Sequence, residues 1–213
     1  GATTIGSVSS LALGAQHVYA GTDAGLFAVP LGTSPAGAVP VAAGLSALAI
    51  KALLVSGGNV YAATFDELSG THAVSTAAEP AVAAGTATWA EFGISPVGPN
   101  RVTSLLRVGD TLLAGTNGGL VRYATATSPW SSANVSSDPA AQISDAFGVV
   151  NSLYTDGVTV FVGTGNNGVF IAPYGTSFLW TAFNGSGETA LPSLEVRSLL
   201  GVGSTLYAAT RAG

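Results

Sequence analysis

Val150 to Phe170 reads VNSLYTDGVTVFVGTGNNGVF, and the alternation inside this stretch decides the fold. Val150-Asn-Ser-Leu-Tyr154 places a β-branched residue and a leucine around a small one. It then meets Asp156-Gly157, a dipeptide suited to the positive φ angles of a tight hairpin. Val158 to Val162 is β-branched and aromatic and closes on Gly163-Thr164. Gly165-Asn-Asn-Gly168 predicts a second turn, Val169-Phe-Ile171 a third strand, and Trp180-Thr-Ala-Phe183, bounded by Asn184-Gly185, a fourth. One unit is a four-stranded antiparallel meander.

The unit returns at fixed offsets. A β-branched residue stands at Val8, Ile50, Val102, Val150 and Val196; two positions on, a small residue follows at Ser10, Ala52, Ser104, Ser152 and Ser198. Leu11, Leu53, Leu105, Leu153 and Leu199 come next, then Tyr19, Tyr61, Leu113, Phe161 and Tyr207, and finally Thr22, Thr64, Thr116, Thr164 and Thr210. A chain rich in valine and alanine does not easily match itself by chance five times without a gap. The repeats begin near 8, 50, 102, 150 and 196, and they predict one domain over 1–213.

Composition narrows the functional classes. Hydrophobic residues make up 47% of the 213 positions and charged residues 8%, about a third of the usual quarter. The surface is therefore expected to be Ser, Thr, Asn, Gly and Ala. Six basic against eleven acidic residues give a net charge of -5 without a basic run, which argues against nucleic acid and anionic membrane surfaces as partners. Without cysteine there is no disulfide framework and no thiolate metal site. The low charge, the Ser/Thr-rich surface and the repeat predict an extracellular or periplasmic location. Gly1 without a preceding methionine fits a removed leader or a trimmed start. The apolar run from Ala36 to Val55 is interrupted by Pro40, Gly44 and Lys51 and ends in a repeat strand, so membrane insertion is not expected. A short helix around Val41 to Ala49 fits the same run.

Along the chain, the first repeat's fourth strand is expected around Val39 to Ala42, held to an edge by Pro35 and Pro40. The second repeat carries an irregular Phe65–Gly70 insertion and an outer strand over Thr88 to Phe92. Ser131 to Asp145 is the longest connection, the kind of loop where partners are met on repeat scaffolds. The fifth repeat stops after two strands. Ala2 to Ile5 could complete it as an outermost strand, a neighbouring copy could donate the missing one, the blade could be short, or the natural chain could run past Gly213.

The pattern V-x-S-L-x(7)-[YF]-[AV]-[AG]-T, then G-[LV]-[FV], then a tryptophan-led strand, resembles the blades of β-propellers of the two-component-regulator-propeller and BNR (Asp-box) repeat superfamily. That group includes sialidase-like and photosystem-assembly-factor-like proteins, and the resemblance covers nearly the whole chain. It implies an all-β fold, a β-propeller of about five four-stranded antiparallel repeats with the last incomplete, or an arc of a larger propeller. An Asp-box would read Ser/Thr-x-Asp-x-Gly-x-Thr-Trp. Gly85-Thr-Ala-Thr-Trp89 keeps its tail alone, and the segments ending at Trp130 and Trp180 lack the aspartate, which loosens the tie to sialidases.

Sialidase-type chemistry needs three arginines converging on a carboxylate, a tyrosine nucleophile with an acidic partner, and an aspartate acid/base. Arg101, Arg107, Arg122, Arg197 and Arg211 stand in no such signature, so surface or interstrand pairing is the expected role and no catalytic residue is assigned. His17 and His72 lie in different blades without ligand spacing, and neither a metal nor a cofactor is expected. Two sets recur at equivalent places. Asp23, Asn117 and Asn166 stand at turns beside glycines, as calcium or sugar contacts or as turn formers. Trp89, Trp130 and Trp180 match as fourth-strand residues, for stacking on a sugar ring or for packing between blades. Asn134-Val-Ser136 and Asn184-Gly-Ser186 fit the short N-glycosylation pattern.

The sequence therefore predicts a non-enzymatic binding or scaffolding propeller, secreted or at the cell surface, with a protein or carbohydrate partner and self-association through the incomplete last blade. A carbohydrate-binding, lectin-like propeller is the alternative, and a sialidase-like glycoside hydrolase the second alternative.

Overall fold

The structure is a computed structural model of the chain and describes residues 6–32, 38–41, 44–45, 49–66, 68–70, 72–91, 101–124, 130–132, 148–175, 178–187 and 190–213. Among these residues the fold is all-β and built of propeller-type blades: four four-stranded antiparallel sheets and one two-stranded sheet, each in simple meander order. Blade 1 holds β1 (Val8–Leu13), β2 (His17–Thr22), β3 (Gly25–Pro30) and β4 (Val39–Pro40). Blade 2 holds β5 (Ile50–Ser56), β6 (Asn59–Phe65), β7 (His72–Ala78) and β8 (Ala90–Glu91). Blade 3 holds β9 (Val102–Val108), β10 (Thr111–Thr116), β11 (Gly119–Ala124) and β12 (Ser131–Ser132). Blade 4 holds β13 (Val150–Thr155), β14 (Thr159–Thr164), β15 (Val169–Pro173) and β16 (Thr181–Ala182). The last sheet is β17 (Val196–Val202) with β18 (Thr205–Thr210).

The gap-free spacing of the repeat has a structural source. Its β-branched residue and its threonine are cross-strand partners: Val8 faces Thr22, Ile50 faces Thr64, Val150 faces Thr164 and Val196 faces Thr210. An inserted residue in either strand would slip that register and turn a buried face outward. The same four pairings share a β-bulge one residue into the first strand, at Ser9, Lys51, Asn151 and Arg197. A bulge leaves one residue out of the ladder and swings its side chain off the sheet face, which prepares those positions for contacts outside their own blade.

The chain divides into two compact units, 1–105 and 106–213, each with its own core. In the first, Tyr19, Leu26, Val41, Ile50, Leu53, Val60 and Val82 form one cluster, drawn from blades 1 and 2. In the second, Leu113, Leu120, Val150, Val160, Val162, Phe170 and Trp180 form another, and Val169, Val196 and Leu199 a smaller one.

Blade 2 also contains a five-residue helix, α1 (Glu79–Ala83), between its third and fourth strands, a segment without helical periodicity. Pro80 in its first turn supplies a preset φ and lacks the N–H that a helix start leaves unpaired. The expected helix around 41–49 falls mostly outside the described residues, as do the expected strand at 2–5, Phe92, and most of the 131–145 loop with Asn134. Lys51, at the far end of the apolar run, lies in β5. Among the described residues, no helix is long and apolar enough to cross a membrane.

Candidate functional site

The turns between second and third strands share one local design. Thr22 Oγ1 donates to the carbonyl of Gly25 at 2.9 Å and accepts from Ala24 N at 3.0 Å. Thr116 does the same with Gly119 and Gly118, and Thr164 with Gly168 and Asn167. Thr210 repeats it with Gly213 at 2.7 Å. The threonines are buried, and at these four positions each hydroxyl satisfies two backbone groups that would otherwise be stranded in the turn, while Thr64 meets the Ala73 carbonyl at 3.5 Å.

Asp23 and Asn117 follow their threonines directly and Asn166 follows Thr164 after one glycine; all three are exposed. The positive φ angles fall on glycines, 124° at Gly25 and 118° at Gly119, and among the described residues no non-glycine has one. The Asx residues are thus not placed there to tolerate a left-handed backbone. Asp23 Oδ1 accepts from Ser7 N at 2.9 Å, tying the start of blade 1 to this turn. The hairpin at Asp156 differs in the same way: Gly157 takes the positive φ of 92°. The Asp156 carboxylate accepts from the backbone amides of Thr159 and Val158, which hold it below the usual carboxylate range.

The three tryptophans stand one residue before their fourth strands, not within them. Trp130 is 2% exposed and Trp180 5%, so their ring faces are covered by protein. Trp180 stacks on Phe178 at 5.2 Å between centroids, and Trp130 lies tilted against Tyr123 at 5.4 Å. Trp89 is half-buried against the core of the first unit. The Nε1 atoms of Trp89 and Trp130 are buried and have no hydrogen-bond partner among the described residues.

The ionisable groups sit apart from these positions. Arg197 and Arg211 converge on Glu195, at 3.1 and 3.3 Å, on the surface beside β17. The hydrogen bond from Arg197, then that from Arg211, holds the Glu195 carboxyl below its usual range. Arg107 approaches Asp110 at 3.7 Å, and Arg101 lies 4.6 Å over the Phe65 ring. Two arginines and a carboxylate do meet, but the carboxylate belongs to the protein and is shared between them. His17 and His72 are half-buried at the first residues of β2 and β7. Among the described residues, no group of three or more His, Cys, Asp or Glu side chains is placed to hold a metal. Asn184, one of the two N-glycosylation matches, has its amide engaged: Oδ1 accepts from Val169 N at 2.7 Å and Nδ2 donates to the Asn167 carbonyl at 3.3 Å.

Two features escaped the sequence reading. Glu79 is a buried carboxylate in the first turn of α1, and it accepts from Ala15 N in the β1–β2 turn at 2.7 Å. Its carbonyl also receives the Tyr19 hydroxyl at 3.4 Å. Burial first, and the Glu79 charge second, push the Tyr19 hydroxyl up to about 12. The Glu-Pro pair after an alanine-rich strand was the available signal for this helix start.

The second feature joins consecutive blades. Ser10 Oγ accepts from Leu53 N at 2.9 Å and Ser152 Oγ from Leu199 N at 3.0 Å. The bulge residue beside each serine adds to the junction. Asn151 Nδ2 donates to the Val196 carbonyl at 2.9 Å, and Ser9 Oγ lies against the carbonyls of Gly21 and Ile50. At Ser10 and Ser152 the small residue of the repeat is therefore also the acceptor for an amide of the following blade.

By sequence, neither a family model nor a curated protein matches the chain. By structure, the chain is similar to the extracellular domain of the one component system BT4673 from B. thetaiotaomicron, with a TM-score of 0.71 at 16% identity over 97% of this chain. It is also similar to PorZ, a bacterial surface component of the type-IX secretion system of Porphyromonas gingivalis, with a TM-score of 0.63 at 13% identity over 95% of this chain. A third likeness is to the computationally designed Ika8 protein, with a TM-score of 0.64 at 15% identity over 97%. The chain spans 26%, 32% and 56% of the length of those three proteins. At such identities what is common to them is the fold: an all-β array of propeller-type blades.

Proposed function

We propose that the chain is a non-enzymatic binding or scaffolding module of one propeller domain, working outside the cytoplasm as the extracellular domain of BT4673 and the surface component PorZ do. The observation that carries this reading is the engagement of the arginines. Arg197 and Arg211 face the protein's own Glu195, Arg107 faces Asp110, and Arg101 covers Phe65. A substrate carboxylate would have to displace an internal partner at each arginine, whereas a glycosidase site holds its charges preorganised for the transition state. A panel of glycosides tests this directly. No turnover is expected, and hydrolysis abolished by Arg197→Ala or Arg211→Ala would overturn the reading in favour of a sialidase-like hydrolase.

The partner is a protein or a carbohydrate, with self-association through the two-stranded last sheet as a further mode. The carbohydrate reading draws on the exposed side chains of Asp23, Asn117 and Asn166 at matched turns, since sugar hydroxyls pair well with Asx oxygens and amides. Trp89, half-buried where Trp130 and Trp180 are buried, is the one of the three with surface left for such a contact. Glycan-array binding that falls in the triple variant Asp23→Ala, Asn117→Ala, Asn166→Ala would support it. An array without signal leaves the protein partner as the reading.

A further inference from the structure

We propose that Asn117 is a site of spontaneous covalent modification: its carboxamide cyclises onto the backbone nitrogen of Gly118 and then opens to a carboxylate, giving blade 3 an acidic turn. Asparagine followed by glycine is the dipeptide most open to this chemistry, because glycine has no side chain to keep its nitrogen away from the asparagine Cγ. The chain holds three such pairs, Asn117-Gly118, Asn167-Gly168 and Asn184-Gly185. The fold separates them. Gly168 is buried, and its N–H donates to the Leu194 carbonyl at 2.9 Å. The Asn184 carboxamide is fixed at both ends, Oδ1 accepting from Val169 N at 2.7 Å and Nδ2 donating to the Asn167 carbonyl at 3.3 Å. It lies so close over Gly168 that a Cβ there would collide with it. Neither pair can bring Cγ and nitrogen together without breaking a contact of the folded sheet.

Asn117 is placed differently. It and Gly118 are the two central residues of the β10–β11 hairpin, which closes at the pairing of Thr116 with Gly119, and both are exposed. Among the described residues no hydrogen bond holds the Asn117 carboxamide, so it is free to turn toward its own backbone. The Gly118 N–H donates to Thr116 Oγ1 at 3.0 Å. That bond lies within the turn and leaves the carboxamide loose.

The reaction balances with water and hydroxide from solvent. Hydroxide takes the Gly118 amide proton, and the nitrogen forms a bond to Asn117 Cγ. The Cγ–Nδ2 bond breaks, ammonia leaves, and a five-membered succinimide ring remains. Water opens that ring at either carbonyl, to an aspartate or to an isoaspartate in which the chain runs on through the former side chain. The aspartate is a residue this turn already accepts: blade 1 carries Asp23 at the equivalent position, with the same threonine bonds from Thr22 to Gly25 and Ala24. The isoaspartate lengthens the backbone inside a two-residue turn, where the pairing of Thr116 with Gly119 leaves no slack. Either product adds one negative charge to a formal net charge of -5. The inference does not rest on the proposed function, although it alters one of the three turn residues on which the carbohydrate reading draws.

Ageing of the full chain in mildly alkaline buffer, followed by tryptic peptide mapping, tests it. Cleavage after Arg107 and Arg122 gives a peptide, 108–122, whose single asparagine is Asn117. Asn167 and Asn184 are read by fragmentation of the 123–197 peptide. Asn117 is expected to convert several-fold faster than either, and to yield isoaspartate as well as aspartate. In urea the three rates should converge, because the fold is what sets them apart. Gly118→Ala should slow the reaction by about ten-fold or more, since it places a Cβ beside the attacking nitrogen. Blade 1 has Ala24 at the equivalent position, so this variant should melt with wild type. Asn117→Asp, which imitates the product, should melt with wild type too. Equal rates at the three asparagines of the folded chain, a slower Asn117, or no conversion there while the urea sample reacts would each overturn the proposal. So would conversion that Gly118→Ala leaves unchanged, which would mean direct hydrolysis of the side chain without the ring.

Discussion

Ser10 Oγ accepts the backbone N–H of Leu53 at 2.9 Å, tying the first strand of blade 1 to the first strand of blade 2 across 43 residues of sequence. The matching contact of Ser152 with Leu199 spans 47. Ser104 occupies the same repeat position, but its buried hydroxyl has no hydrogen-bond partner among the described residues. One position thus offers a contrast between a hydroxyl with a task and one without. Ser10→Ala and Ser152→Ala strand a buried amide and should each cost about 1–3 kcal/mol. Ser104→Ala removes an unsatisfied polar atom and should be near neutral. Urea midpoints of the three variants check this, and a loss at Ser104 equal to that at Ser10 would refute the assigned role.

Glu79 gives a second prediction through Gly14. A Cβ on Gly14 would collide with the Glu79 carboxylate and stand 2.8 Å from the Tyr19 ring, although the backbone there is not left-handed. Gly14→Ala should therefore destabilise by overpacking, about 1–3 kcal/mol, and not by strain in φ. Removing the obstacle tests the cause. In Gly14→Ala combined with Glu79→Ala the losses should be less than additive, because the collision partner and its bond to Ala15 N are already gone. Strict additivity of the two urea-derived losses would show that the residues do not interact.

Tyr19 predicts alkaline lability. Its pKa is raised in the folded protein from 10.0 to about 12 by burial and then by Glu79. The folded state thus holds the phenolic proton more tightly than the unfolded chain does. The resulting stability is fully present below pH 10 and is lost as pH rises from 10 towards 12, about 2 kcal/mol by the upper end. Denaturant midpoints at pH 9 and pH 11.5 should fall more in wild type than in Tyr19→Phe, which has no proton to lose. Equal slopes would contradict the assignment.

The blade was legible because its spacing is its pairing: Val150 faces Thr164, and Leu153 faces Val162, so the sequence period and the strand register are one constraint. Fourth strands were legible from their tryptophans, with the boundary displaced by one residue, because a buried ring marks where the chain enters the sheet and not which residues hydrogen-bond. The junction serines were not legible. Their partners are backbone amides made accessible by a bulge, and neither a bulge nor an amide leaves a mark in residue type. Glu79 was missed for a related reason: a five-residue helix is too short to have a period, and the carboxylate's partner is again an amide, 64 residues away. Asp23, Asn117 and Asn166 were found as a matched set, but the feature that fixes their turns is the buried threonine before each of them.

The second-strand glycines carry the last prediction. Gly21 and Gly163 face the bulged first strands of their own blades, at Ser10 and Ser152, and also meet the next blade. A Cβ on Gly21 would come within 2.6 Å of Ile50 Cγ2, and one on Gly163 within 2.7 Å of Val196 Cγ1. Blade 2 has Ala63 at this position and the last sheet has Ala209, so the blade itself tolerates a methyl group. What excludes it at Gly21 and Gly163 is the residue stacked from the next blade. Gly163→Ala should therefore destabilise by about 1–3 kcal/mol through overpacking. Val196→Ala opens the space that the new methyl needs, at the usual cost of a cavity. Combined, the two substitutions should recover part of the sum, and a double-mutant cycle from urea unfolding measures that recovery. A coupling energy near zero would mean that the glycine answers to its own strand, and that the stacking of blade 4 on β17 does not set the limit.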